Sequence, residues 1–185
     1  MPVAESATAR EDPRFAVVGA GMAGILAAIS LRRAGLTDFS VYEKADRLGG
    51  TWRENTYPGL TCDVPSHLYC YSFALNPEWS HVYPPGDEIQ RYFVDVAERY
   101  GVMPHIRFDD EVLSCTFENG VWQLTTASGH RAEADVVVAA TGVLHHPKYP
   151  DIKGLETFGG TQFHSARWDH RVRLDGRRVG VIGAG

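Results

Sequence analysis

The sequence is short of cysteine, of charge imbalance and of long apolar runs, and each shortage removes a class of protein. Its 185 residues hold three cysteines, Cys62, Cys70 and Cys115, with no Cys-x-x-Cys and no paired histidine spacing. A disulfide framework and a zinc site are therefore not indicated, and a reducing cytosol fits. The net charge is −5, from 18 Lys+Arg against 23 Asp+Glu, and the acidic excess is spread along the chain. A nucleic-acid binder that tracks phosphates needs clustered cations to release counterions, so that class is unsupported. No stretch approaches the roughly 18 uninterrupted apolar residues that cross a bilayer. Residues 1–13 carry no apolar run of the kind that opens a secretory leader. The reading is of no export signal, no membrane span and no low-complexity segment.

What is present is an ordinary globular composition, 44% hydrophobic and 22% charged. A chain of this length buries roughly 70% of its unfolded surface, enough for one domain and a piece of a second. Residues 1–13 show no periodicity and are expected to be a disordered tail. Phe15, Ala16, Val17 and Val18 form a short apolar run closed by Gly19, residues 25–34 have helical spacing closed by Gly35, and residues 39–42 are another β-rich run. This strand, helix, strand order predicts two parallel neighbours joined by a right-handed crossover.

Residues 49–85 lose all periodicity and run far longer than an ordinary connection, which points to a functional surface. Residues 87–100 return to helical spacing, with Ile89, Tyr92, Phe93, Val96 and Ala97 on one face and Gly101 as the stop. Residues 107–112, 113–117 and 121–126, punctuated by Asn119-Gly120 and Ser128-Gly129, read as a small antiparallel meander. Residues 134–140 are almost wholly apolar and read as a strand covered on both faces within a parallel sheet. Beyond Pro147 and Pro150 comes a Gly- and His-rich linker. Residues 178–182 then read as a new strand running into Gly183-Ala184-Gly185. A buried parallel strand without its crossover helix reads as a chain cut inside a second glycine loop. Two Val-rich strands ending in Gly-Ala-Gly suggest a duplicated nucleotide-binding unit.

Gly19-Ala20-Gly21-Met22-Ala23-Gly24 is a GxGxxG placed after a strand and opening a helix. There bare backbone can approach a pyrophosphate, and the helix N-terminus offers unpaired N–H groups. Nineteen residues beyond Gly24, Glu43 sits at the end of the second strand, where a carboxylate accepts hydrogen bonds from adenosine ribose hydroxyls. A carboxylate there repels a 2′-phosphate, so this first site favours FAD or NAD over NADP. Gly49-Gly50-Thr51-Trp52 follows, as though the chain wraps further along a long ligand, which favours FAD.

At these residues the chain resembles the two-dinucleotide-binding flavoproteins, in which GGTW follows the ribose acid. The runs Tyr57-Pro58-Gly59-Leu60-Thr61-Cys62-Asp63 and Ser66-His67-Leu68-Tyr69-Cys70-Tyr71-Ser72-Phe73 are similar to the loop after GGTW in Baeyer-Villiger monooxygenases. By residue type alone Asp63 is equally an Asx-turn residue before Val64-Pro65. Phe158, Gly160, His164, Trp168 and Asp169 match that family's fingerprint FxGxxxHxxxW[PD] at every fixed position. By chemistry alone His164 is open to three roles: metal ligand, general base or hydrogen-bonded linker residue. With no Cys or His at ligand spacing, metal is disfavoured.

The resemblance implies an α/β fold: a Rossmann-like FAD-binding domain with an antiparallel meander at residues 14–146, a fingerprint linker at 147–176, and the first strand of an NADP-binding domain at 177–185. It implies FAD contacts from Gly19, Gly21, Ala23, Gly24, Glu43, Gly50, Thr51, Trp52, Thr61, Cys62, Asp63, Tyr69, Val112, Thr141 and Gly142. Gly183 and Gly185 would open the second nucleotide loop. It also implies that Asp63 lies by the flavin and pairs with a catalytic Arg further along, and that His164 couples domain movement to catalysis. The parent activity so implied is an NADPH- and O2-dependent conversion of small-molecule ketones to esters or lactones through a flavin peroxide. The 185 residues alone are expected to be inactive in that reaction. The runners-up are an N- or S-oxygenating flavoprotein and a non-catalytic FAD-binding module. A flavin disulfide reductase falls on the absent cysteine pair.

Overall fold

The structure is a computed structural model that describes residues 12–144 and 146–183. Strand β1 (Phe15–Val18), helix α1 (Met22–Arg33) and strand β2 (Phe39–Tyr42) form the first unit. The two strands pair in parallel from Phe15 opposite Phe39 to Val18 opposite Tyr42, as the crossover spacing requires. Val17, Val41, Ile25, Ala28 and Ile29 are buried between strand and helix. The helix ends where Gly35 takes φ +79 and its N–H returns to the Arg32 carbonyl at 3.0 Å, a conformation open to glycine because it has no Cβ.

Between the two long helices runs a stretch with one short helix, α2 (Thr51–Glu54). Helix α3 (Gly86–Arg99) follows and buries Ile89, Tyr92, Phe93, Val96 and Ala97, the face that the spacing predicts. These side chains share one core with Ile25, Ile29, Phe39 and Val41, so α1 and α3 cover the parallel sheet together. The sheet has the order β3-β2-β1-β7, with β3 at Ile106–Arg107 and β7 at Val136–Ala139. A separate antiparallel sheet, β4-β5-β6, is built from Val112–Glu118, Val121–Thr126 and Arg131–Ala134. Its Leu124 and Ala134 form a second, smaller core with Ala16 and Tyr42. Asn119 (φ 53) and Gly120 (φ 85) make the two-residue turn between β4 and β5, the positive-φ pair that a right-twisted hairpin needs.

Three expectations are corrected. Residues 107–112 are not a meander strand: Ile106 and Arg107 pair in parallel with Val41 and Tyr42, and the third meander strand is Arg131–Ala134, beyond the Ser128-Gly129 turn. The apolar run 134–140 is not one strand covered on both faces. It divides at Asp135, whose carboxylate takes Arg14 N–H and guanidinium hydrogen bonds at 2.7–3.1 Å. Its second half, β7, pairs only with β1 among the described residues and leaves Val136 39% exposed. Residues 178–182 form no strand; Val181 is 84% exposed, and no strand among the described residues lies alongside to accept its hydrogen bonds. The expected tail falls outside the described residues up to position 11.

Candidate functional site

The carboxyl ends of β1, β2 and β7 meet at one edge of the sheet, and ligands of open α/β sheets sit outside such ends. The turn after β1 is closed by close backbone approach. A Cβ on Gly24 would lie 1.8 Å from the Gly19 carbonyl oxygen, and one on Gly19 would lie 2.5 Å from the Ala140 carbonyl oxygen. Gly19 itself holds φ +102. Gly21 caps α1 without any side-chain hydrogen bond, and the first turn of that helix holds no acidic residue. The N-terminal N–H groups of a 12-residue helix thus face the loop with their positive dipole end uncapped, which suits an anionic group. Ala23 is exposed on this first turn.

Glu43 follows β2 and is 5% exposed. Its Oε2 accepts the Ala20 N–H at 2.8 Å and its Oε1 accepts the Ala45 N–H at 3.0 Å. A carboxylate has about four acceptor positions, so each oxygen keeps capacity for a ligand hydroxyl. The Gly49-Gly50 turn closes on the same loop: the Gly49 N–H donates to the Ala20 carbonyl at 3.0 Å, and a Cβ on Gly50 would come within 3.1 Å of the Gly21 Cα. Thr51 and Trp52 begin α2 directly behind this turn. Thr141 and Gly142 leave β7 exposed beside the glycine loop, with Thr141 Cα 3.6 Å from a Gly19 Cβ.

The loop beyond α2 is fastened at both sides. The Cys62 N–H donates to the Pro84 carbonyl at 3.1 Å, and Thr61 bridges to Pro85. The Tyr71 hydroxyl donates to the carbonyl of Met22, the first residue of α1, at 2.6 Å. Trp52 Nε1 donates to the Tyr69 hydroxyl at 3.0 Å, with the rings edge to face at 5.6 Å. Burial pushes the Tyr69 phenol above its ordinary pKa, the Trp52 hydrogen bond works against that, and the negative charge of nearby Asp63 adds to it. Asp63 is exposed on this loop while its neighbour Cys62 is buried. The loop therefore presents the carboxylate outward from a fixed base.

His164 is half-buried; its Nδ1 accepts the Ala166 N–H at 3.1 Å, and its ring lies edge-on to Tyr149 at 5.6 Å. With Nδ1 an acceptor, the neutral ring carries its proton on Nε2. The fingerprint segment touches the loop through other residues: His170 Nε2 lies 2.7 Å from Thr56 Oγ1, and Trp168 lies 6.5 Å from Tyr57. The structure thus brings Gly19, Gly21, Gly24, Glu43, Gly50, Thr51, Trp52 and Thr141 together, with Tyr69 joined through Trp52. It leaves Val112 in the second core and Gly183 exposed with nothing within 4 Å of a Cβ. Gly185 lies outside the described residues.

Three residues at the site were missed by sequence reasoning. Arg53 Nη2 lies 3.8 Å from Glu43 Oε1; its signal was a cation directly after Gly-Gly-Thr-Trp. The Gln90 amide donates to the Leu48 carbonyl at 2.6 Å and fills the space a Cβ on Gly49 would need. Asp110, 4% exposed, donates its N–H to the Glu43 carbonyl and accepts the Ser128 N–H at 3.2 Å. A Thr126 hydrogen bond, ahead of the Ser128 and Arg107 contributions, holds its carboxyl below the ordinary value. Asp110 lines a shallow depression of about 310 Å³ with Arg107 and Ser128. A larger one, about 390 Å³, lies along α3 between Leu75 and Arg99 and contains none of the glycine-loop residues, so size alone does not mark the site. Among the described residues no group of three or more His, Cys, Asp or Glu is placed to hold a metal ion, and no helix is long and apolar enough to cross a membrane.

Comparison with known proteins follows the same lines. The model of the pyridine nucleotide-disulphide oxidoreductase family matches residues 16–185. A Baeyer-Villiger monooxygenase of Streptomyces coelicolor is 51% identical over 185 residues, covering 99% of this chain and 36% of the relative. An ε-caprolactone-bound crystal structure of cyclohexanone monooxygenase superposes with a TM-score of 0.84 at 40% identity, covering 94% of this chain and 35% of the other. The crystal structure of OTEMO in complex with FAD and NADP superposes with a TM-score of 0.83 at 34% identity, covering 95% of this chain and 36% of the other. The chain thus spans about a third of the length of the curated relatives it matches.

Proposed function

We propose, from the premise that this chain belongs to the pyridine nucleotide-disulphide oxidoreductase family, that it is the FAD-binding part of a Baeyer-Villiger monooxygenase. The full protein would use NADPH and O2 to convert ketones to esters or lactones. One observation carries the cofactor assignment: the Gly19–Gly24 loop, the Glu43 carboxylate and the Gly49-Gly50 turn converge on the backbone N–H and C=O of the single residue Ala20. The residues fit the group. The α1 N-terminus stands without a side-chain cap, the glycine contacts leave no room for a Cβ at Gly19 or Gly24, and Glu43 keeps acceptor capacity on both oxygens.

FAD, when bound, supplies the redox and oxygen chemistry. This chain's residues bind and orient it. The glycine loop admits the pyrophosphate, Glu43 accepts the ribose hydroxyls, and the Trp52–Tyr69 pair stiffens the loop that carries Thr61, Cys62 and Asp63. Asp63 offers an outward carboxylate, suited to hold a cationic partner from the remainder of the protein. His164, with its proton on Nε2, acts as a linker residue that transmits domain movement. Val112, packed against the second core, is retained as a proposed FAD contact. Residues 14–146 form the FAD domain, 147–176 the linker, and 177–185, with Gly183 and Gly185, the start of the NADP-binding domain. The free thiols of Cys62, Cys70 and Cys115 support a cytoplasmic setting.

The test is a titration of the chain with FAD, followed by flavin fluorescence and absorbance. Saturable binding is expected, weakened in Glu43→Ala by about 1.5–3 kcal/mol, the worth of a hydrogen bond to a charged group. Equal affinity in the two proteins would remove Glu43 from the site, and no binding by a folded chain would remove the cofactor assignment.

A further inference from the structure

Glu43 is a buried carboxylate, and its two backbone hydrogen bonds do not supply the countercharge that such a group ordinarily requires. Arg53 stands where that charge is needed. It leaves α2 toward the end of β2, with its side chain 14% exposed and Nη2 3.8 Å from Glu43 Oε1. The same Nη2 donates to Glu54 Oε1 at 3.2 Å, and Lys44 Nζ approaches that oxygen at 4.0 Å. Arg53 Nε is buried without a hydrogen-bond partner. The guanidinium is therefore not spent on a two-pronged ion pair with Glu54. It lies beside Glu43 at a distance beyond the roughly 2.7–2.9 Å of a charge-assisted hydrogen bond.

We propose that Arg53 is the positioning residue of the ribose-binding carboxylate: its guanidinium supplies the countercharge to buried Glu43 and fixes the rotamer in which that side chain meets ribose hydroxyls. The role rests on the FAD-binding reading of the site and extends it to the first residue after Gly-Gly-Thr-Trp. Arg53 need not touch the ligand, because it acts through Glu43. Its effect is therefore confined to ligands that carry the hydroxyls Glu43 recognises.

That confinement gives the experiment. The wild-type chain, Arg53→Gln and Arg53→Lys are titrated with ADP and with 2′,3′-dideoxy-ADP, and thermal unfolding checks that each is folded. Wild type is expected to prefer ADP by about tenfold. Arg53→Gln is expected to lose about tenfold on ADP and less than twofold on the dideoxy nucleotide, while Arg53→Lys keeps most of the preference. Equal losses on both nucleotides, or undiminished ADP affinity in folded Arg53→Gln, would overturn the positioning role and leave the site reading intact. A wild-type chain that binds both nucleotides equally would overturn the ribose reading of Glu43, and the role of Arg53 with it. Should Arg53→Gln fail to fold, Arg53→Met takes its place in the same comparison: a loss on ADP well above that on the dideoxy nucleotide supports the role, and equal losses on both or undiminished ADP affinity defeat it.

Discussion

Gly24 shows how much rides on a missing methyl group. The carbonyl of Gly19 occupies the place where a Gly24 side chain would begin, at 1.8 Å, and that obstacle is backbone rather than a side chain able to turn aside. Gly24→Ala is therefore expected to force the loop open, lowering stability by about 1–3 kcal/mol as overpacking does and abolishing FAD binding; thermal unfolding and flavin titration read the two effects separately. In the fingerprint segment, Asp169 accepts from Arg171 Nε and Nη2, each at 2.8 Å. The Arg171 side chain, then its backbone N–H, hold the Asp169 carboxyl down to about 2, against an ordinary value of about 3.9. A depressed carboxyl favours the folded state above its unfolded value and loses that contribution as pH falls through the folded one. The Asp169 turn is expected to hold at pH 4 and to open near pH 2, and Arg171→Gln should raise the Asp169 carbon-13 titration toward the ordinary range, short of it by what the retained backbone N–H contributes.

Helix α3 is the element on which the rest is laid. Phe93 is 0% exposed and touches Tyr71 and Tyr92 with ring centroids 5.8 and 5.5 Å apart. Phe93→Ala is expected to cost about 3–5 kcal/mol, read as a lower midpoint in urea, and to loosen the loop that Tyr71 ties to Met22. The buried face of α3 was legible because five apolar residues repeat at helical spacing. So were β1, α1, β2 and the Asn119-Gly120 hairpin, where the local signal and the tertiary outcome coincide. Strand β3 was not legible: two residues carry no period, and Ile106 and Arg107 become a strand only by pairing with β2. Nor was the break at Asp135 visible, since it depends on Arg14, 121 positions away. At the site, the glycines and Glu43 could be placed from spacing alone. Arg53, Gln90 and Asp110 could not, because each joins through a contact that no sequence interval encodes.

At the scale of the molecule, the proposed nucleotide-binding edge is assembled by the parallel sheet while the antiparallel sheet packs beside β1 and β2 through Ala16 and Tyr42. The glycine loop, Glu43 and the Gly49-Gly50 turn lie within this chain, which spans about a third of the length of its curated relatives, whereas the proposed oxygenation draws on the remainder of that length. A chain of these 185 residues is accordingly expected to bind FAD and to show no ketone-dependent consumption of NADPH. Turnover above the flavin-only background in an oxygen-electrode assay would contradict that division of labour. The junction at Ala20 also sets a rule for recombining relatives. Its N–H and C=O reach Glu43 and Gly49 respectively, so the glycine loop, the end of β2 and the Gly-Gly turn meet at one residue. A chimaera that transplants the first glycine loop without the Gly-Gly turn that clasps it would bring together halves shaped for different partners. The smallest exchangeable module therefore runs unbroken from β1 through α2.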